Sequence, residues 1–375
     1  MNQPLIKRLV SALVAPAIAV AVAVVVSSIT LLLSGNSPIE ALRAMANYFF
    51  TTDSIVATLN RVGPLYVVSL AVAIGFKMNL FNIGVDGQYR LAALFSAAIG
   101  AELHLPRVLH IVAVMVIAMV VGAAWAAIPG ALKVTRNVNE VVSTIMLNFV
   151  ATGLTAYLLV TYFRNKKVEN VSETKAIPRS GRLPTLNGVV ENFGFHFPRL
   201  TQLNGFLPIA IVVGILFYLL VWRTRFGFDL RMTGANKAAA RASGVNPSAM
   251  IMKTILISGA LAGLAASGFV LTDFPKYSDA FPLGLAFTGI GVALLGRNHP
   301  AGIAVAALVW QGIDTASRGL LEVQIPPEIT IIMLGTLLMS SVISFEVVRR
   351  RRLDATIKEA GVAATPTAPV VGAPS

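Results

Sequence analysis

Residues 107–131 read RVLHIVAVMVIAMVVGAAWAAIPGA, a run in which the first residue, Arg107, carries the only formal charge. A helix needs about 20 mostly apolar residues to cross the hydrocarbon core of a bilayer. The run reaches that length without a charge in its interior. It therefore predicts a membrane-spanning helix.

The composition extends this prediction to the whole chain. Of the 375 residues, 56% are hydrophobic and 13% are charged, whereas soluble domains average about 45–50% and about 25%. The mean hydropathy is +0.76. Because the apolar excess runs along the entire length, we expect lipid to be the solvent for much of the protein surface.

Further apolar runs predict an all-α polytopic membrane protein with about ten transmembrane helices, some of them short or broken. The clear candidates are 9–33, 107–131, 141–163, 206–222, 254–271 and 329–348. The shorter or interrupted ones are 59–76, 80–103, 281–296 and 301–314. The first run is too long for the roughly 7–15-residue core of a cleavable signal peptide, so we expect it to remain as a helix.

The distribution of Lys and Arg predicts that both termini are cytoplasmic, and the strongest anchor is the basic run Arg349–Arg352 after the last apolar run. The polar segment 164–205 is then extracytoplasmic, although it is rich in basic residues, because long loops translocate largely regardless of charge. We expect residues 1–348 to form one transmembrane domain. Residues 349–375 are expected to be a tail, first basic and then, from Gly361, disordered.

Several classes of function are excluded. The chain has no cysteine, and its four histidines (His104, His110, His196 and His299) lack metal-ligand spacing. No G-x-x-x-x-G-K-[ST] phosphate-binding loop occurs. The net charge is +13, but no basic stretch is interleaved with aromatic residues on a soluble domain. We therefore expect no enzymatic site, no metal, no cofactor and no nucleic-acid partner.

The segment Asn79-Leu-Phe-Asn-Ile-Gly-Val-Asp-Gly-Gln88 places polar residues between two apolar runs. Its glycines weaken a helix, and free backbone groups at membrane depth are tolerated only inside protein or beside a water-filled path. The candidates for lining a polar route are Asn82, Asp86 and Gln88. The alternative is a cytoplasmic turn with Lys77 and Arg90 as surface charges.

A second polar pattern lies in Asn139-Glu-Val-Val-Ser-Thr-Ile-Met-Leu-Asn148. Glu140, Thr144 and Asn148 are spaced four apart, so they share one face of a helix. Inside a bilayer such a stripe should face other helices or water. It indicates either a transport pathway or hydrogen bonding between helices.

Residues 223–253 are predicted to be a cytoplasmic segment that contains a short helix near 235–244. Its alanine-rich middle favours a helix, Gly244 suits a left-handed cap, and Asn246 with Pro247 suits the start of the next helix. The helix could lie on lipid headgroups. Its mostly small outer face favours docking into a groove of another protein.

The next helix carries Gly259, Gly263 and Ser267, one turn apart. Small residues at this spacing let neighbouring membrane helices approach closely. We interpret the stripe as a packing surface.

Four runs, 81–88, 139–148, 234–244 and 287–298, resemble in this order the inner-membrane permeases of ABC importers, in the ribose and branched-chain amino acid permease superfamily. Within it the chain is most similar to nucleoside-type permeases that work with a basic-membrane-protein-type binding lipoprotein. The resemblance covers roughly residues 60–345. One departure is Asp86, where the family pattern leads us to expect Glu.

The resemblance implies a permease subunit that forms a translocation path for nucleosides or simple sugars in the bacterial cytoplasmic (inner) membrane. The implied partners are a second homologous permease subunit, an ATPase subunit with two nucleotide-binding halves, an extracytoplasmic substrate-binding lipoprotein, and membrane lipid. An ion-coupled secondary transporter of a small polar solute is the alternative. Against it, a coupling ion would need a cluster of buried carboxylates, for which only Glu140 and either Asp86 or Asp314 qualify.

Motif position assigns residues to these roles. The pathway candidates are Asn82, Asp86, Gln88, Glu140 and Asn148. The candidates for the interface with the ATPase are Gly234, Asn236, Ala239, Arg241 and Gly244.

Overall fold

The computed structural model describes residues 5–168, 171–192 and 201–363, and these residues are almost entirely helical. The first seven helices are α1 Leu5–Leu33, α2 Pro38–Phe49, α3 Thr52–Lys77, α4 Val85–Glu102, α5 Arg107–Arg136, α6 Glu140–Leu158 and α7 Asn187–Glu191. The next seven are α8 Phe206–Tyr218, α9 Arg225–Ala235, α10 Lys237–Ala242, α11 Pro247–Val270, α12 Leu285–Leu295, α13 Pro300–Ala316 and α14 Ile329–Ala363. Short π-helical turns, Leu159–Phe163 and Leu219–Arg223, extend α6 and α8.

The chain divides into two compact units. One unit comprises residues 1–41 and 325–375, and in it α1 packs along α14. The other comprises residues 42–324 and contains α3 to α13. All the predicted pathway and interface residues belong to this second unit.

The protein is an all-α polytopic membrane protein, as predicted. Within the residues that the structure describes, five helical segments are long and apolar enough to cross a membrane: Thr52–Lys77, Arg107–Arg136, Glu140–Phe163, Phe206–Arg223 and Pro247–Val270. Val20–Leu33 and α2 form a pair bent by 117° that would make a sixth. Each of the ten predicted runs overlaps a helix, and the number of ten crossings stays a prediction.

The central helix of the second unit is α3. Every residue from Val62 to Gly75 is buried, because α3 packs against α8, α11, α12 and α13. A helix that is apolar on all faces is typically enclosed in this way. The enclosure reaches Gly75 near the C-terminal end of α3, and Met78, Leu80 and Asn82 of the segment that follows are also buried.

The backbones of α5 and α11 touch at the stripe of small residues. A Cβ added at Gly122 of α5 would overlap the Gly259 carbonyl oxygen, and one added at Gly263 would overlap the Ala118 carbonyl oxygen. The interpretation of Gly259 and Gly263 as a packing surface is therefore confirmed. Small residues allow this approach because no side chain separates the two helices.

The described part of segment 164–205 folds against the link between α11 and α12. Glu173 and Ser278 form an isolated antiparallel bridge, and the Thr174 N–H donates to the Tyr277 carbonyl at 2.9 Å. Lys276 also forms an ion pair with Glu173. The predicted polar loop is thus tied by backbone hydrogen bonds to another part of its own unit. His196 and Arg199 lie outside the described residues.

The last helix is longer than the predicted span 329–348. It continues to Ala363, through the basic run Arg349–Arg352. The prediction of disorder from Gly361 onward is therefore wrong for residues 361–363, and residues 364–375 lie outside the described part of the chain. Leu, Ala, Lys and Glu, which are good helix formers, dominate the sequence after the basic run and account for the extension.

The contact between α5 and α11 gives a direct test of the fold. Gly263→Ala should lower the melting temperature of the purified protein, because the added methyl group meets backbone, which cannot rotate away as a side chain can. Overpacking of this kind costs about 1–3 kcal/mol. Gly153→Ala is the matched control, since Gly153 of α6 has nothing within 4 Å of an added Cβ. Equal melting temperatures for the two variants would contradict the close contact.

Candidate functional site

The polar segment 79–88 contains a break between α3 and α4 that is largely buried, with Asn79 and Phe81 exposed. α3 ends at Lys77 and α4 begins at Val85, and Asn79 in between has a left-handed φ of 56°. The chain turns tightly, with the Met78 and Leu80 N–H groups both donating to the Gly75 carbonyl at 2.9 Å. Met78 and Leu80 are buried. Lys77 and Arg90, which flank the segment, are half-buried. The polar route and the cytoplasmic turn therefore both stay predictions.

Asn82 is the centre of a side-chain network at this break. Its Nδ2 donates to the Ser258 hydroxyl at 2.9 Å and to Gln88 Oε1 at 3.2 Å. Gln88 Nε2 donates back to Asn82 Oδ1 at 3.2 Å. Ser258 in turn donates to the Ala71 carbonyl at 2.5 Å. The network therefore connects the break to α3, α4 and α11.

Asn148 of α6 also hydrogen-bonds to the backbone at this break, and we call this pair of hydrogen bonds the clamp. Its Oδ1 accepts the Gly87 N–H at 2.9 Å, and its Nδ2 donates to the Ile83 carbonyl at 3.0 Å. These are backbone groups that the helix break leaves without helical partners. The approach is close, because a Cβ added at Gly87 would lie 2.9 Å from Asn148 Oδ1. Asn148 thus replaces two lost backbone hydrogen bonds.

Asp86 forms a separate buried pair. Its Oδ2 lies 3.4 Å from the Arg90 guanidinium one turn further along α4. Arg90 also contacts the hydroxyl of Tyr277, whose pKa is raised, mainly by burial and against the lowering effect of Arg90. Asp86 Oδ1 and the nearby Trp125 indole N–H are buried without hydrogen-bond partners. The pair therefore retains one free acceptor.

Glu140 lies apart from this cluster. It forms a 2.8 Å ion pair with Lys133, which joins the end of α5 to the start of α6. Of the predicted polar stripe, Thr144 and Asn148 face the break, since a Cβ at Gly84 would lie 3.0 Å from the Thr144 Cβ. For Asn148 the structure has the predicted hydrogen bonding between elements. The spacing of four residues placed the stripe on one helix but did not determine what each member contacts.

The predicted short helix near 235–244 is α10, and it is shorter than expected. Asn236 has an extended backbone that separates α9 from α10. Its side-chain oxygen accepts the N–H groups of Ala238 at 2.9 Å and of Ala239 at 3.1 Å. Asn236 therefore caps α10, which limits the helix to Lys237–Ala242.

The other end of α10 has the predicted cap. Gly244 has a φ of 81°, its N–H donates to the Arg241 carbonyl, and the Val245 N–H donates to the Ala240 carbonyl at 3.0 Å. These two bonds define a Schellman motif. Asn246 then caps α11, with Pro247 as the first helical residue. The predictions for Gly244, Asn246 and Pro247 are confirmed.

Four of the five predicted interface residues are exposed: Asn236, Ala239, Arg241 and Gly244. Ala240 is buried and anchors α10 to its own unit. Gly234 differs, because a Cβ added there would lie 2.7 Å from the Lys77 carbonyl oxygen and from Met78 Cα. Gly234 therefore connects the segment that carries α10 to the buried break between α3 and α4.

Sequence reasoning missed several residues of the buried cluster. Ser258, Thr254, Trp125 and Tyr277 come from α11, α5 and the link after α11, which are far from the motif in sequence. Thr254 donates to the Met78 sulfur at 3.0 Å. A polar residue within an apolar run was the available signal for Thr254 and Ser258. Tyr277 and Trp125 carry no such signal.

The histidines have structural surroundings. His110 is buried, with Nε2 at 2.9 Å from the Gly100 carbonyl and Nδ1 at 3.0 Å from the Ser180 hydroxyl. His299 packs against Trp222 and Tyr218. Within the described ranges, no group of three or more His, Asp or Glu side chains is placed to hold a metal ion.

Comparison with known proteins places the chain in the class of transport permeases. The family model described as branched-chain amino acid transport system / permease component matches residues 54–342. The chain belongs to this family.

Individual relatives agree with this family. The guanosine ABC transporter permease protein NupP of Bacillus subtilis is 30% identical over 83% of this chain and 88% of its own length. The nucleoside ABC transporter permease protein NupB of Lactococcus lactis is 29% identical over 85% and 87%. The glucose ABC transporter permease protein TsgB13 of Haloferax volcanii is 30% identical over 75% and 74%. The chain is therefore a transport component.

The role of Asn148 can be tested by substitution. Asn148→Leu should lower the melting temperature, because it leaves the Gly87 N–H and the Ile83 carbonyl buried without partners. Each such group costs about 1–3 kcal/mol. Thr152→Val is the control, since Thr152 is an exposed residue one turn further along α6 whose hydroxyl bonds only within the helix. Similar melting curves for both variants would contradict the clamp.

Proposed function

We propose that this chain forms the translocation path of an ABC importer for nucleosides or simple sugars in the bacterial cytoplasmic membrane. The observation that carries the proposal is the exposed helix α10, capped at both ends and in backbone contact, through Gly234, with a buried polar break. The names of the relatives, which refer to guanosine, nucleosides and glucose, support the substrate class. These solutes share several hydroxyl groups and no net charge.

The pathway residues in this proposal are Asn82, Asp86, Gln88, Glu140 and Asn148. A cluster of buried polar side chains is costly in free energy, and this cost supports a functional role. Asp86 has the best chemistry for a neutral hydroxylated solute, because its unpartnered Oδ1 can accept a hydrogen bond from a hydroxyl group. Glu140, held by Lys133, stands at the end of the path nearest to α10.

The partners in this proposal follow from what the chain lacks and what it exposes. Its 375 residues contain no phosphate-binding loop, so ATP hydrolysis falls to an ATPase subunit with two nucleotide-binding halves. A second homologous permease subunit would complete the path, and a substrate-binding lipoprotein would deliver solute at segment 164–205. The chain itself would be a transport subunit and not an enzyme.

Coupling to the ATPase would run through α10. Beside it lies a groove of about 440 Å³ between α9 and the start of α11, lined by both apolar and charged side chains, among them Phe228, Asp229 and Lys253. An ATPase subunit that binds α10 and this groove could displace α9. Since Gly234 of α9 contacts the backbone of Lys77 and Met78, such a displacement would reach the break directly.

Two substitutions on α10 test this coupling. Ala239→Trp and Arg241→Glu should each abolish most ATP-dependent uptake and stimulated hydrolysis in the reconstituted complex. The first places bulk at an exposed small residue, at an interface cost of about 1–3 kcal/mol, and the second reverses a charge that sets the register of the partner. Arg107→Glu, at an exposed position at the start of α5, is the charge-reversal control.

The measurements are recovery of the complex, ATPase stimulation by loaded binding protein, and uptake of radiolabelled nucleoside and of glucose. Near wild-type uptake in both α10 variants would reject the interface. Uptake that persists without ATP and stops when an ionophore dissipates the ion gradient would instead reject the ABC importer.

The proposed orientation places segment 164–205 outside the cell and α10 inside, with both termini cytoplasmic. The chain has no cysteine, so single cysteines can be labelled without background. In intact cells or spheroplasts, Lys167→Cys should react with a membrane-impermeant maleimide, and Lys237→Cys should react only after permeabilisation. Both positions are exposed. The same accessibility for both would contradict the proposed topology.

A further inference from the structure

A large apolar groove lies on the second unit, outside the hydrogen-bonded cluster of Asn82, Gln88 and Asn148. It is formed by α3, α8 and α13, has a volume of about 710 Å³, and is lined almost wholly by apolar residues such as Leu59, Gly214, Ala304 and Leu308. This volume lies within the range of about 300–1,000 Å³ that is typical of ligand sites. Large apolar side chains are exposed along its walls, including Ile211 and Ile215. The groove therefore opens toward the lipid-facing side of this unit.

Aromatic rings close one end of the groove. Tyr218 and His299 line the groove, and both rings pack on Trp222 of the π-helical turn, with centroid separations of 5.7 Å and 5.0 Å. Aromatic side chains with a polar edge concentrate where hydrocarbon meets water. This end of the groove therefore marks the level of the lipid headgroups.

Cationic side chains lie directly beyond the rings. Lys77 Nζ is 5.1 Å from the centre of the Trp222 ring. The Arg231 guanidinium donates to the carbonyl of Val221, the residue before Trp222, and Arg297 lies two residues before His299. Both positive charges act on Lys77. In the part of the chain that the structure describes, no carboxylate forms an ion pair with Lys77. Three positive charges are thus gathered at the end of an apolar groove.

We propose that this groove binds an anionic phospholipid, with one acyl chain between α3, α8 and α13 and the phosphate at Lys77 and Arg297. Basic pockets between membrane helices are suited to anionic headgroups. The apolar volume and the charge are both accounted for by one amphipathic ligand. A free phosphate ion would leave the apolar groove unoccupied, and an apolar helix of a second copy would bring no anionic group to Lys77.

The proposal is tested by native mass spectrometry of the purified full chain, titrated with phosphatidylglycerol or phosphatidylcholine. The wild type should bind one phosphatidylglycerol in preference to phosphatidylcholine. The double variant Lys77→Gln, Arg297→Gln should bind it about thirtyfold more weakly, since each Lys or Arg near an anionic headgroup contributes about 1 kcal/mol. The control Arg107→Gln, Arg136→Gln has the same change in net charge at exposed positions on α5 and should bind like the wild type.

A second variant addresses the acyl chain independently. Ala304→Trp should fill the groove and reduce binding at least tenfold, whereas Val305→Trp, at the next residue on α13 but 62% exposed and outside the groove, should not. Equal binding of the two headgroups, full binding by Ala304→Trp, or equal losses in the matched controls would each overturn the proposal. Stabilisation by inorganic phosphate alone would show an ion site instead, and a chain that stays dimeric and binds no lipid would show that a second copy covers the groove.

Discussion

The structure depends on how a break in a buried helix is satisfied. Between Lys77 and Val85 the backbone leaves helical geometry, and Met78, Leu80 and Asn82 of this stretch are buried. Unpaired N–H and C=O groups in buried surroundings are costly. Asn148 supplies the partners from α6, and Ser258 with Asn82 fixes the turn from α11. These elements can reach the break because α3 is enclosed and because α5 and α11 touch at Gly122, Gly259 and Gly263.

The same break explains why the functional segments of the protein are mechanically related. α9 rests on the end of α3 through Gly234, without a side chain between the two backbones, and α10 follows α9 after the single extended residue Asn236. A force on α10 would therefore act on packed backbone and not on a flexible loop. Packed interiors transmit displacement because they have few voids in which to absorb it.

Several features could be predicted because their physical signal is local. Gly244, Asn246 and Pro247 define a helix end and a helix start through backbone preferences that hold in any surroundings, and the structure has both. The stripe of Gly259 and Gly263 could be recognised because glycines at this spacing in a membrane helix typically allow a neighbouring helix to pack closely. Local signals also mislead when neighbouring residues override them. Asn236 caps α10 and so makes the helix shorter than predicted. Gly361 does not end α14, which continues to Ala363.

The sequence by itself determined that the chain is an all-α membrane protein, which residues are polar at membrane depth, and which family it belongs to, because hydropathy, helix caps and ordered motifs are written along the chain. Only the tertiary structure decided what those polar residues contact. Asn148 and Glu140 lie on the same helix, yet one clamps the break and the other pairs with Lys133. Likewise, nothing in the sequence joins Lys77 to Arg297 or Trp222 to His299. Such pairings depend on how helices that are distant in sequence pack together. The order of residues along the chain does not specify these distances in space.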